Sequence, residues 1–309
     1  MPARTFRPGG ATLRPAPEWS RQKMRALLGG AAVCAVLLAF GLVLAVGYAF
    51  TPAVHRSSQD TTRGTHSAAR SQPGTGVAAG PDVAESRDAL DAAAMPTVSQ
   101  DDSHPGPVST ADPGTAITLP GSSTTGPAGV PSGFPHTSAG ALAQLASIDQ
   151  AALQSGSLAG ARQVIAGWAM PGGPTASGWS VVAALSTLLG SAGLSGGGST
   201  QLAIVLTPLM GQIKGSIGTD FVIPCVDFEL DLTLTQTARG ATADCQGMLW
   251  TSTSTSSTAD SSTSGSSSAG GRWMIGPGAE PATPPSVWPD TAAAISVGYR
   301  DLLPAPSRD

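Results

Sequence analysis

Twenty-five consecutive residues, Ala26 to Phe50, carry no charge, and this run decides where the rest of the chain must live. A membrane helix needs about 20 mostly apolar residues to cross a hydrocarbon core roughly 30 Å thick. At ~1.5 Å rise per residue, the run reaches about 37 Å, long enough to span with some tilt. A cleaved signal peptide carries an apolar stretch of only about 7–15 residues before a small-residue site, so the run reads as an uncleaved, single-pass signal anchor. Arg4, Arg7, Arg14, Arg21, Lys23 and Arg25 precede it, opposed only by Glu18. The positive-inside tendency then keeps residues 1–25 cytoplasmic and places everything after the span outside the cell membrane. Cys34, within the span, reads as a small apolar filler.

Composition divides the remainder of the chain. Residues 51–136 are dense in Pro, Gly, Ser, Thr, Ala and Asp and hold one aromatic residue, Phe134. Such a segment buries too little apolar surface to offset its ordering entropy, so it reads as a disordered tether. Within it, Asp82-Val-Ala-Glu85 offers a capping box for a transient helix ending near Met95, with little to pack against. Residues 137–278 read as one extracytoplasmic α+β domain, interrupted at 251–271, where 15 of 21 residues are Ser or Thr. That low-complexity insert belongs in a solvated loop, as an O-glycosylated spine or as a tolerated repeat expansion. Residues 279–309 read as a Pro-rich arm and a short C-terminal helix.

Inside the domain the hydrophobic period changes once. Leu142, Leu145, Ile148 and Ala152 recur at helical spacing, followed by Leu158, Ala161, Val164, Ile165 and Trp168. Gly156-Ser157 divides the two runs and Pro171-Gly-Gly-Pro174 stops the second. Ser177 is the expected N-cap of a third helix with Val182, Leu185, Leu188 and Leu189 on one face. From Thr200 the pattern alternates. Val226, Phe228, Leu230, Leu232 and Leu234 interleave with Asp227, Glu229, Asp231 and Thr233, giving a strand with one apolar and one acidic face. Further strands are expected at Gln201–Ile213, Ala238–Trp250 and Arg272–Ile275. Beyond the arm, Asp290 is expected to cap a helix with Ile295, Tyr299 and Leu302 on one side. That helix either docks on the domain or binds a partner.

Candidate chemistry is sparse. Cys225 and Cys245 fall on neighbouring expected strands, and an oxidising compartment suits a disulfide between them worth about 3 kcal/mol. A redox pair is the sharper alternative, but the Cys-x-x-Cys spacing that lowers a thiol pKa is missing. His55, His66, His104 and His136 all fall in the tether or at its edge. The domain is therefore expected to lack a histidine base and a His-rich metal site, and no catalytic residue, metal ligand or cofactor is assigned. The Asp227, Glu229 and Asp231 stripe reads as a solvated face, a docking face for a basic partner, or a carboxylate set for a hard cation or acid–base work. With Ile295, Tyr299 and Leu302 it forms the candidate partner-binding surface. The mild net charge of −4 argues against an exported nucleic-acid-binding face.

The segment FVIPCVDFELDLTLTQTARGATADCQ (Phe221–Gln246), with Gly271-Arg-Trp-Met-Ile-Gly-Pro-Gly278, resembles exported proteins encoded beside transfer genes on actinobacterial integrative elements. Helices followed by strands ending in Gly-Arg-Trp also resemble the cone-shaped nuclear-transport-factor-two-like fold. The resemblance implies two or three helices packed on a curved four-stranded antiparallel sheet beyond the transmembrane helix. Relatives of that kind are TcpC-like scaffolds of conjugative type IV secretion systems and mammalian-cell-entry-associated proteins. The resemblance therefore implies a non-enzymatic structural subunit with protein partners in an envelope complex. The alternative is an envelope module that holds an apolar ligand or lipid, with Phe228, Leu230 and Leu232 lining its site.

Overall fold

The computed structural model describes residues 81–197, 199, 201–252 and 270–305. The uncharged run, its basic flank and most of the Ser/Thr insert lie outside the described residues. Among those described, no helix is long and apolar enough to cross a membrane.

The helical repeats from Leu142 and Leu158 translate directly into structure. The Thr137 hydroxyl accepts the Gly140 N–H at 3.1 Å and starts α2, Ser138–Gln154; α1, Pro81–Ala92, precedes it. Ser157 caps α3, Leu158–Trp168, after Gly156 turns the chain with φ +59°. The third helix of the domain, α4, spans Ser180–Ser191, but its N-cap is Trp179, which supplies no side-chain cap. Ser177 does not start it.

The sheet corrects the expected architecture. It has seven strands where four were expected, and it is mixed where an antiparallel sheet was expected. Three-residue β1 (Ile117–Leu119) lies parallel to C-terminal β9 (Arg300–Pro304), which pairs antiparallel with β4 (Ala203–Ile217). Then β4 pairs β5 (Phe221–Thr233) along its length, with register shifts at Pro208/Met210 and Ile213/Gly215. The far edge of β5 is shared by β6 (Thr237–Cys245) and β7 (Met248–Ser252), and β7 pairs β8 (Gly271–Ile275). A small hairpin of β2 (Thr124–Thr125) and β3 (Pro131–Ser132) stands apart. The class remains α+β; the nuclear-transport-factor-two-like sheet is not what these residues form.

Two hydrophobic layers account for the difference. The helix-side core joins Leu142, Leu145, Ile148, Ile165, Trp168, Trp179, Leu185 and Leu188 to Val226, Phe228, Leu230, Leu232 and Trp273. On the opposite face a second core collects Met210, Phe221, Ile223, Cys225, Cys245, Val287, Ala294 and Tyr299. Leu90, Met95 and Val98 pack against this second core, so the segment 81–98 finds a surface that the tether reading denied it. Burial on both faces explains why β5 is apolar beyond its alternating half: Phe221 to Phe228 are all buried.

The C-terminal segment also differs. Thr291, not Asp290, caps the five-residue α5 (Ala292–Ser296), and Asp290 has φ +61°. Tyr299 and Leu302 lie beyond that helix, in a turn and in β9. A run this short gives no usable periodicity, so helical spacing misassigns them.

Cys225 and Cys245 are direct cross-strand partners and form a disulfide with Cα atoms 4.2 Å apart. Replacing both by Ala is expected to lower unfolding free energy by about 3 kcal/mol, the loop-closure contribution of a 20-residue separation, measured by denaturant titration.

Candidate functional site

The chain between β8 and α5 is a strap, residues 276–289, that runs from the helix side of the sheet to its other face. Gly278 N–H donates to Gly172 C=O, and the Glu280 carboxylate accepts the Ser180 N–H at 3.0 and 3.3 Å. Glu280 thus supplies the N-terminal acceptor that α4 lacks in its own sequence. Ala282 N–H donates to Asp91 C=O, and Tyr299 Oη donates to Pro285 C=O at 3.1 Å. Ser286 Oγ accepts the Ala243 N–H from the edge of β6, and Val287 N–H donates to Asp227 Oδ1 at 3.4 Å. The strap ends where Trp288 N–H meets Asp102 C=O.

This arrangement rewrites the acidic stripe. Asp227 is 0% exposed, beneath the strap, and one of its oxygens has no hydrogen-bond partner among the described residues. Burial pushes its carboxyl well above the usual range, and the Val287 N–H only partly offsets this. Glu229 and Asp231 do face outward, but Arg239 on β6 pairs with both, at 3.0 Å from Asp231. The Arg239 guanidinium also lies 5.2 Å from the Trp288 ring centroid. The three carboxylates therefore do not act together. Of the C-terminal candidates, Ile295 is half-buried, while Tyr299 and Leu302 are buried at 0% and 8% exposure. Tyr299 and Leu302 belong to the cores.

A second carboxyl group set forms on the helix side of β6. Asp149 from α2, Asp244 from β6 and Glu280 from the strap lie close enough that Asp244 and Glu280 raise the proton affinity of Asp149, and Glu280 that of Asp244. Burial comes first for all three. It lifts Asp244 to about 7, with the Glu280 charge adding to it, and carries Asp149 well above its ordinary value. Gln246 Nε2 donates to both Asp244 oxygens, at 3.2 and 3.0 Å. Neither oxygen of Asp149, itself 1% exposed, has a hydrogen-bond partner among the described residues. One signal for it is present in the sequence: Asp149 is the single charged residue of α2, set between Leu145 and Ala152 on the apolar face.

His136 is the third departure. Sequence order puts it at the tether edge, yet its Nε2 lies 2.8 Å from Asp220 Oδ1, and its ring stacks on Trp250 at 4.3 Å and 8°. Trp273 meets both rings edge-on. The expectation of a histidine-free domain is corrected. The contact is hidden in the sequence because His136 immediately precedes the Thr137 cap while its partners lie on the β4–β5 turn and β7. The dyad ties the start of α2 to the sheet. No nucleophile joins it among the contacts described.

Among the described residues the expected ligand site is filled. Phe228, Leu230 and Leu232, the expected lining of a lipid site, are each 1% exposed and packed in the helix-side core. A pocket of about 180 Å³ lies elsewhere, lined by Ile117, Gln212, Ile213, Gly298 and Arg300. Sites for drug-sized ligands run from roughly 300 to 1,000 Å³. Among the described residues, no group of three His, Cys, Asp or Glu side chains is placed to hold a metal ion. Compared with family models, curated proteins and solved structures, the chain matches none of them.

The buried carboxyls set a pH dependence. Asp91 is raised to about 6 by burial against the lowering effect of Lys214, and Asp244 to about 7. A folded-state pKa above the unfolded value of about 4 means that the folded form holds more protons in between. Unfolding free energy is therefore expected to fall as pH rises from about 4 to about 7, the reverse of a protein held by paired carboxylates. Urea titrations across that range check the sign.

Proposed function

We propose that the chain is a non-enzymatic, membrane-tethered structural or interaction subunit whose domain works outside the cytoplasm, accessory to a conjugative type IV secretion apparatus. The observation that carries the extracytoplasmic part is the Cys225–Cys245 disulfide, since such bonds persist in oxidising compartments. The basic-flanked, uncharged run Ala26–Phe50 supports the tether and its direction. The conjugative assignment rests on the resemblance of Phe221–Gln246 and Gly271–Gly278 to exported transfer-associated proteins.

The buried polar residues support a structural role, since they are spent on holding segments together. Asp227, Glu280, Ser286 and Tyr299 all hold the strap, and Gln144 and Gln150 donate to the Pro131 and Leu206 carbonyls. The contact face that remains crosses three strands in one row. Val205, Asp231 and Arg239 are register partners on β4, β5 and β6, and Val205 is 48% exposed. Glu229 lies one step along, opposite Thr207. An apolar spot beside a pair of opposite charges suits a protein partner with its own mixed charges better than a uniformly basic one.

Two measurements test this reading. Deleting the chain from a conjugative donor is expected to lower DNA transfer at least tenfold; wild-type transfer would remove the conjugative role. Arg239→Glu is expected to lower capture of an element-encoded transfer protein at least fivefold while circular dichroism and the melting profile stay those of a folded domain. Unchanged capture would move the contact face elsewhere.

A further inference from the structure

The strap is fastened on the helix side of the sheet by a group that cannot ionise comfortably where it sits. Glu280 reaches the N-terminus of α4 and there faces Asp149 from α2 and Asp244 from β6. The remaining polar neighbours are the Ser180 N–H and hydroxyl of α4 and the Gln246 amide at the β6–β7 corner. Among the described residues no Lys, Arg or His forms an ion pair with any of these three carboxyls. Asp149 is fully enclosed with both oxygens unpartnered, and Gln246 Oε1, on a residue 1% exposed, is unpartnered as well. Three acids from three different segments and an amide oxygen beside them meet with no cationic side chain paired to them, and only the Ser180 N–H and hydroxyl at the start of α4 favour charge on Glu280.

We propose that this cluster is a proton-operated latch on the strap. While protons occupy the cluster, Glu280 stays docked on α4 and the strap stays closed over Asp227 and the second core. When the cluster ionises, neighbouring negative charges with no cation between them repel, and the cheapest relief is for Glu280 to leave. Glu280 is the member able to leave, since Asp149 is fixed in a 17-residue helix and Asp244 in the β5–β6 ladder. Release would uncover Ala243 N–H on the β6 edge and strip Asp227 of its one backbone donor, Val287. The edge so exposed is a template for another strand.

The direction is fixed by linkage. The closed state binds protons more tightly than the open one, in which the carboxyls return to about 4. Opening therefore grows more favourable between pH about 4 and about 7, where the Asp244 carboxyl gives up its proton in the closed state, and Asp244 contributes nothing further above that. For Asp244 alone the change from pH 5 to pH 7 amounts to roughly 50-fold.

Amide hydrogen exchange on the full chain in detergent micelles, corrected for intrinsic rates, reads this directly. Protection of residues 276–289 and of the first turn of α4 is expected to fall at least tenfold from pH 5 to pH 7, while protection of β5 changes less. A smaller fall in the strap, or an equal fall in β5, would overturn the latch. Asp244→Asn is expected to hold the pH 5 to pH 7 change below tenfold. If that variant loses β5 protection at pH 5, Asp244→Ser, which removes the same titrating group with a smaller side chain, takes its place with the same expectation. A tenfold or greater change surviving in the folded variant would also overturn the proposal.

Discussion

Strand β5 is covered on both faces, and most of the rest of the structure depends on that. A strand buried on one side needs only a layer of helices. Phe221, Ile223 and Cys225 point away from the helices, so a second cover is required. Among the described residues no long amphipathic helix supplies it. The cover is assembled from α1, the strap, α5 and the turn at Tyr299, none of which could hold its place alone. Each is fastened by a small number of polar contacts whose partners are themselves buried. The second core is thus a composite in which irregular segments, pinned by backbone and carboxyl groups, do what a regular layer does elsewhere.

Pinning of this kind leaves a mark on the electrostatics. Strap segments have unsatisfied backbone groups that a regular layer would not, and acidic side chains serve as their acceptors. Asp227 accepts the strap's Val287 N–H, Glu280 on the strap accepts the Ser180 N–H at the open end of α4, and both lie where a full charge is costly. The result is a fold whose interior prefers its carboxyls protonated. The outer row of β5 is built in the opposite way: Glu229 and Asp231 are matched by a cation, Arg239.

The helices and the alternating half of β5 were legible because each depends on a local period. The apolar repeats from Leu142 and from Leu158 announce α2 and α3, and Val226 through Leu232 declare which face is covered. What was not legible is what depends on distant partners. Ile117–Leu119 is three residues long and becomes a strand only because Leu302–Pro304 runs beside it. Segment 81–98 looks unable to pack until a second apolar face exists for Leu90 and Val98. The acidic side of β5 read as uniform because alternation cannot distinguish solvent from a covering segment. Asp227 and Asp231 have the same sequence environment and opposite fates. The cysteine pair was legible for the converse reason: a short turn at residues 234–236 fixes the register that sets Cys225 against Cys245.

The hairpin that carries the Ser/Thr insert closes on the direct pair Ser252 and Gly271, with Trp250 against Trp273 two positions inside. Whatever lies between those ends enters and leaves the sheet at a single point. Closing a longer chain there adds only about 0.6 kcal/mol for each doubling of its length. A change in length between those ends would leave every strand register untouched. The hairpin therefore works as an evolutionary port, where the length and composition of the chain between Ser252 and Gly271 can drift without retuning the domain that bears it.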